Sequence, residues 1–347
     1  MSDWVATRGR KAGHLRIALE DGGRIDRGAA ASGFDQLRFI PNALPEIDLW
    51  EIDTSSTLFG RRLGAPLLIS SMTGGTDEAG RLNRILAQSA QKYRVGMGLG
   101  SARVLLENPR LLPTFDVRAQ APDVLLFANL GAVQLNQGVT VADCERLVRD
   151  LQADGLILHL NPIQEGLQPR GDTVFRGLLA KIGALTRDLH LPVVVKEVGF
   201  GLAPDVVIRL LDAGVAAVDV AGAGGTSWPW IEGRLIHDQW RSELCDDLTE
   251  WGLPTATAIR QAREAAPQGL IIGSGGVRSG VDVAKAIGLG ANVVGVGRPL
   301  LKAASQDLEA TDSYLRRLVD GLRLAMFGIG APDLHSLRGT DRLTSTS

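Results

Sequence analysis

Four polar residues of a kind that can carry chemistry, His159, Asn161, Gln164 and Glu165, fall in the stretch HLNPIQE, directly after the apolar run DGLIL. Here a histidine can relay a proton, an amide can orient a substrate, and a carboxylate can act as general acid or base. Glu165 could equally hold Mg2+, which takes one or two carboxylates together with substrate phosphate oxygens. Pro162 and Pro169 keep the segment from running on as an ordinary helix. Alone, His159 would read as a structural histidine. Beside Gln164 and Glu165 it becomes a candidate for catalysis.

Lys196 closes the run PVVVK. A lysine at the end of an apolar strand is a Schiff-base nucleophile, a fixed cation against an electron-rich cofactor, or a partner for Glu197 or Asp219. Two glycine-rich turns, GSGGVRSGVD and GVGRPLL, contain Gly275, Gly276, Gly297 and Arg298. Glycines let backbone N–H groups approach phosphate oxygens, and a helix start follows each turn, so the pair points to a phosphate. Further polar groups are Ser71, Met72 and Thr73 in SSMTGGT, Ser101 and Arg103 in GLGSAR, Asn129 in ANLG, and Thr226 in GGTSW. A Schiff-base aldolase would leave SSMTGGT and Asn129 without a role. A flavin would use all of them, with Lys196 near N1 and O2 of its ring.

Arg10, Lys11 and His14 stand near the start of the chain, Arg10 and His14 four apart on one helical face. Such a trio is ordinarily a solvated basic face. In a chain of formal net charge -2, however, an anionic substrate needs a local cluster of this sort.

These residues need a scaffold that brings strand ends together. Eight short apolar runs suit buried parallel strands: 65–71, 94–101, 123–131, 154–161, 192–199, 215–222, 269–276 and 291–298. The segments between them can each hold a helix, and a last helix is expected over 305–326. Eight strand-then-helix units predict an α/β fold, the (β/α)8 TIM barrel, whose active face lies at the C-terminal strand ends. Nearly every polar group named above falls on such an end. Residues 1–64 are expected as an extension packing on the barrel mouth, 65–330 as the flavin-binding barrel, and 331–347 as a flexible tail. A long insertion after strand six, 223–253, holds GTSWPWIEGRLIHDQW, with three of the six tryptophans, and suits a lid, a subunit contact or core packing.

Balanced charge, 22% of residues, argues against nucleic-acid binding. The two cysteines, Cys144 and Cys245, make neither a disulfide framework nor a metal spacing, which suits the cytoplasm. No apolar run reaches the ~18 residues of a membrane span.

Together the motifs RKAGH, FDQLRFIPNALPEID, SSMTGGT, GLGSAR, ANLGA, HLNPIQE, VVVKEVGFG, VDVAGAGGTSW, SGGVRSGVDVAKA and GVGRPLL resemble the type 2 isopentenyl-diphosphate isomerases, FMN-dependent barrel enzymes. HLNPIQE with RKxxH is specific to that family; the glycine loops and VVVKEVG are shared with other FMN barrels. The resemblance implies that Arg10, Lys11 and His14 hold an isoprenoid diphosphate, with Ser101, Arg103 and Asn129 lining its path. Ser71, Met72, Thr73, Ser101, Asn129, Lys196, Thr226, Gly275, Gly276, Gly297 and Arg298 would contact FMN. Gln164 would sit at the reacting carbons, His159 would orient substrate or relay protons, and Glu165 would bind Mg2+. Reduced FMN would be the active form, with NADPH or NADH priming it, in a homo-oligomer (tetramer or octamer). Two positions depart from the family pattern: Ala102 stands where glutamine is common, and Asn42 where histidine is. The competing reading is an FMN-dependent oxidoreductase of a small hydroxy acid, which wants a histidine base and arginines late in the barrel. A second is a barrel that binds flavin or phosphate without catalysis.

Overall fold

The structure is a computed structural model that describes residues 3–19 and 32–346, without the side chains of residues 3–8 and Arg10. All eight expected strands form: β1 (Leu67–Ile69), β2 (Gly96–Gly98), β3 (Leu126–Gly131), β4 (Gly155–His159), β5 (Val193–Lys196), β6 (Ala217–Asp219), β7 (Ile271–Ser274) and β8 (Val293–Val296). Each pairs in parallel with the next, and the sheet closes where Val294 of β8 lies opposite Leu67 of β1. Strands are shorter than the apolar runs because the glycines and polar residues ending each run turn out of the ladder.

Parallel strands buried on both faces explain the two cores. Alternate residues point inward, and Leu68, Phe127, Ile157, Val194, Ala217, Ile272 and Val293 fill the barrel. The others face the helices, where a larger core includes Leu67, Ile69, Leu126, Val193, Val195, Ile271 and Val294. Each such Leu, Val or Ile contributes about 1.5–3 kcal/mol by leaving water.

Local chemistry starts the outer helices. Thr140 and Asp143 form a reciprocal cap on Val141–Asp150, as do Ser279 and Asp282 on Gly280–Gly288. Helix Gly280–Gly288 packs closely on Leu308–Ile329: a Cβ at Gly280 would lie 2.4 Å from Leu318 O. The crossover from β2 to β3 is different. Only Arg103–Glu107 is α-helical there, followed by 3-10 turns, because Pro109 and Pro113 remove donors and crowd the preceding turn.

Two expected boundaries are corrected. Among the described residues of the extension, helix Asp3–Leu19 and Ser32, which packs on the Gly224 and Gly276 turns, lie at the mouth. The hairpin Ser56–Leu58/Arg61–Leu63 closes the opposite end of the barrel, where Leu58 and Leu63 join the inner core and Phe59 meets Phe127 edge to face. The N-terminal strand ends need that apolar cover. The expected tail is also structured. Leu334–Arg338 is helical, and Leu343–Ser345 pairs antiparallel with Leu37–Phe39, whose own segment reads as a loop in sequence.

Candidate active site

At the C-terminal strand ends lies a cavity of about 540 Å3. Every expected site residue whose side chain is described lines it: Lys11, His14, Ser71, Met72, Thr73, Ser101, Arg103, Asn129, His159, Gln164, Glu165, Lys196, Thr226, Gly275, Gly276, Gly297 and Arg298. Arg10 lies on the same helix, but its side chain is outside the described residues. Neither departure from the family pattern opens on this cavity. Ala102 is fully buried, and Asn42 lies against the far helix, where its backbone N–H donates to Gly328 O.

The mouth of β4 is tied together by hydrogen bonds. Asn161 Nδ2 donates to Gln164 Oε1 (3.1 Å) and to Glu165 Oε1 (2.8 Å). The Asp172 backbone N–H donates to Glu165 Oε2 at 2.7 Å, and Asp172 Oδ2 accepts from Arg103 Nη1 (2.6 Å) and Gln134 Nε2 (2.9 Å). Arg103, expected along the substrate path, is thus oriented by its carboxylate. His159 Nδ1 lies 2.9 Å from Asn129 Oδ1. Its ring faces the cavity rather than bulk water. Burial first, then the positive charges of Lys196 and Lys11, push its pKa down to about 3. A neutral imidazole that donates from Nδ1 to Asn129 keeps Nε2 as an acceptor.

Glu232 organises the other side. It is buried at 2% exposure, and its Oε1 accepts from Gln164 Nε2 (2.9 Å) and Gln168 Nε2 (2.7 Å), with His14 Nε2 3.1 Å away. Burial opposes its ionisation, but His14 and the two amides outweigh that and hold its carboxyl below the usual range. Trp228 meets the His14 ring edge to face at 5.4 Å and donates from Nε1 to Val198 O. Sequence reasoning missed Glu232, Gln168, Asp172 and Gln134. For Glu232 a signal existed: it is the one acidic residue between Ala223 and His237.

In the cavity floor, Lys196 sits 8% exposed with two buried acids beside it. Its Nζ donates to Glu197 O. Burial pushes the Glu197 carboxyl up to about 7, against three backbone N–H donors from Val198, Gly199 and Phe200 and against Lys196. Burial likewise raises Asp219, against Lys196 and the Ser274 hydroxyl.

Ser70 Oγ, Ser71 Oγ and Asn161 Oδ1 are buried without a hydrogen-bond partner among the described residues. Each such group costs about 1–3 kcal/mol until something polar meets it. The two serines on the β1 wall therefore fit the polar edge of a bound FMN. Gly275 (φ 109) lets the β7 turn stack on the β6 turn, since a Cβ there would lie 2.1 Å from Gly222 O. Arg278, Arg298, Lys302 and Arg317 line that end of the cavity, a basic surround that fits the FMN phosphate. Among the described residues no group of three or more His, Cys, Asp or Glu could hold a metal. A cation at Glu165 would therefore draw on substrate oxygens as well.

Residues 170–344 match the model of the FMN-dependent dehydrogenase family. Among solved structures, the fold is shared with a mandelate oxidase variant carrying a monooxide FMN adduct (TM-score 0.64, 20% identity, 94% of this chain and 92% of that one). A putative lactate oxidase of Pediococcus acidilactici is similar (TM-score 0.67, 17% identity, 96% and 94%). At those identities the likeness speaks for the fold alone. Curated relatives named isopentenyl-diphosphate delta-isomerase are far nearer in sequence. One from Synechococcus sp. is 52% identical, covering 95% of this chain and 94% of its own. One from Paracoccus zeaxanthinifaciens is 50% identical over 96% of each. The chain therefore belongs to the isopentenyl-diphosphate delta-isomerase family, within the wider FMN-dependent dehydrogenase family.

Proposed function

We propose that this protein interconverts isopentenyl diphosphate and dimethylallyl diphosphate with no net redox change, supplying isoprenoid precursors. The observation that carries this reading is the convergence of His159, Gln164, Glu165 and Lys196 on one cavity. Moving the double bond means protonating an unactivated alkene and removing a proton from the neighbouring carbon. Bound FMN in its reduced form supplies that acid–base chemistry.

The chain's own residues do the rest. Arg10 and Lys11 bring positive charge to the diphosphate, His14 adds a polar contact, and Glu165 would hold Mg2+ against it. Gln164, clamped between Asn161 and Glu232, orients the reacting carbons. His159 serves as a neutral hydrogen-bonding group there, since its depressed pKa removes an imidazolium from the scheme at neutral pH. Lys196 lends positive charge to the flavin side. Leu15, Val133, Trp228 and Ile231 keep water from a carbon that carries positive charge in transit. NADPH or NADH is needed only to prime the cofactor. The working form is a cytoplasmic homo-oligomer, a tetramer or octamer; no described helix is long and apolar enough to cross a membrane.

The hydroxy-acid oxidoreductase reading finds less support. Its histidine base would come late in the barrel, whereas the described histidines lining this cavity are His14 on the first helix and His159 on β4. Gln164→Ala and Glu165→Ala should each abolish formation of dimethylallyl diphosphate while leaving FMN bound. Wild-type turnover in either would remove the roles assigned here.

A further inference from the structure

Above its apolar filling, the inner face of the barrel changes character within one step. Two residues on from Leu68, Phe127, Ile157, Val194, Ala217 and Ile272 stand Ser70, Asn129, His159, Lys196, Asp219 and Ser274. Residues two apart on an extended chain share a face, so these six polar side chains form one layer. Five of them line the cavity. Asp219 lies beneath the floor, 2% exposed, and no step of the isomerisation described above involves it.

Lys196 has two buried acids beside it, and the geometry separates their duties. Glu197 is committed to its own turn. Its Oε2 accepts from the backbone N–H groups of Val198, Gly199 and Phe200, while its carbonyl oxygen meets Lys196 Nζ. Asp219 is level with Lys196, as its direct partner in the β5–β6 ladder. Asp219 Oδ1 accepts from the Ser274 hydroxyl (2.7 Å) and from the Ala221 N–H (3.2 Å). Ala221 makes that bond from a left-handed backbone (φ 40), which a residue with a side chain rarely adopts. Burial pushes the Asp219 carboxyl up, and the Lys196 charge is the largest influence holding it down. For Glu197, two backbone N–H groups outrank the lysine.

Burial favours the neutral form of a lysine, and a carboxylate at close range restores the charged one. We infer that Asp219 is the counter-charge of Lys196, a positioning residue that keeps the ammonium ionised and turned to the cavity, with Ser274 orienting its carboxylate. The other charged or titratable groups nearby do not serve. His159 on β4 is neutral, Lys11 on the first helix is positive, and Glu197 is held by its turn. The inference rests on the role proposed above for Lys196 and extends it one layer down.

The test uses the FMN-loaded protein and needs no turnover. The visible absorbance of bound oxidised FMN is followed as pH rises from about 6 to about 10, the range in which a perturbed lysine titrates. In Asp219→Asn the spectral change should fall at least about one pH unit lower than in wild type, because a close opposite charge moves a titration by about 1–3 pH units. The decline of kcat with rising pH should move with it. Lys196→Met should lack the spectral change, which assigns it to the lysine. Ser274→Ala should shift it the same way by less, and carries the test if Asp219→Asn does not hold FMN. Glu197→Gln should leave it in place. A change that persists in Lys196→Met would overturn the inference. So would a change absent from, or at the wild-type pH in, both Asp219→Asn and Ser274→Ala, or one displaced in Glu197→Gln alone. The predicted displacement in a protein that makes no dimethylallyl diphosphate would uphold the role of Asp219 and sink the isomerase reading.

Discussion

Replacing Glu232 by glutamine changes one atom of a buried carboxylate that three groups share, and the effect can be worked from the geometry. In the wild type both Gln164 and Gln168 donate to a charged acceptor, at 2.9 and 2.7 Å. Charge-assisted hydrogen bonds contribute about 1.5–3 kcal/mol, neutral ones about 0.5–1.5 kcal/mol, so losing the charge removes about 1 kcal/mol from each. His14 Nε2, 3.1 Å away, also loses a charged acceptor. If the roughly 2 kcal/mol serves to fix Gln164 in the transition state, kcat falls about 30-fold. Glu232→Ala removes the shared acceptor altogether and should cost more than Glu232→Gln. Glu232 itself does not line the cavity, so FMN loading, read from flavin absorbance, should stay near wild type in Glu232→Gln. The assay is product formation against isopentenyl diphosphate concentration, resolving kcat from KM. A Glu232→Gln enzyme with kcat within twofold of wild type, or one altered only in KM, would refute the positioning role.

Other consequences are as concrete. His159 is neutral in the fold and titrates near 3, whereas an unfolded histidine titrates near 6.5, so the unfolded state takes up more protons as pH falls. Its share of stability is complete above pH 6.5 and declines toward pH 3. About 2 kcal/mol should go between pH 7 and 5, measured by denaturant midpoints, and His159→Gln should lack that loss. Ser71→Ala removes a hydroxyl that has no partner among the described residues, so the protein without cofactor should be as stable as wild type or slightly more so. FMN should bind that variant about 2–10-fold more weakly by fluorescence titration, the worth of one neutral hydrogen bond. Gly280→Ala pushes a methyl group against the backbone of Leu318 and Leu322 and should destabilise by about 1–3 kcal/mol, seen as a lower Tm with the active site unchanged.

The barrel was legible because each strand is a continuous apolar run ended by glycine or polar residues, and that rhythm survives without any knowledge of long-range contacts. The same rule located β4 and its polar mouth, and with it His159, Gln164 and Glu165. Glu232 stood out as a lone acid in the insertion, but its role was not legible, because nothing local tells that a residue on an inserted helix meets Gln164, 68 positions earlier. The tail misled for a related reason. Leu343–Ser345 is a polar three-residue strand with no periodicity of its own, and it exists because Leu37–Phe39 offers it an edge. The hairpin Ser56–Leu63 reads as part of an extension at the mouth. Its placement at the other end follows from the need to cover Leu68, Leu125 and Phe127, which only the closed barrel reveals.

The central claim is that a flavin barrel here performs acid–base chemistry and not oxidation. Purified protein incubated without oxygen with FMN, Mg2+, isopentenyl diphosphate and a limiting amount of NADH gives a direct count of both product and reductant. Many molecules of dimethylallyl diphosphate for each NADH consumed is the predicted result. NADH consumed in step with product, or FMN bound and reduced with no allylic product at all, would contradict it.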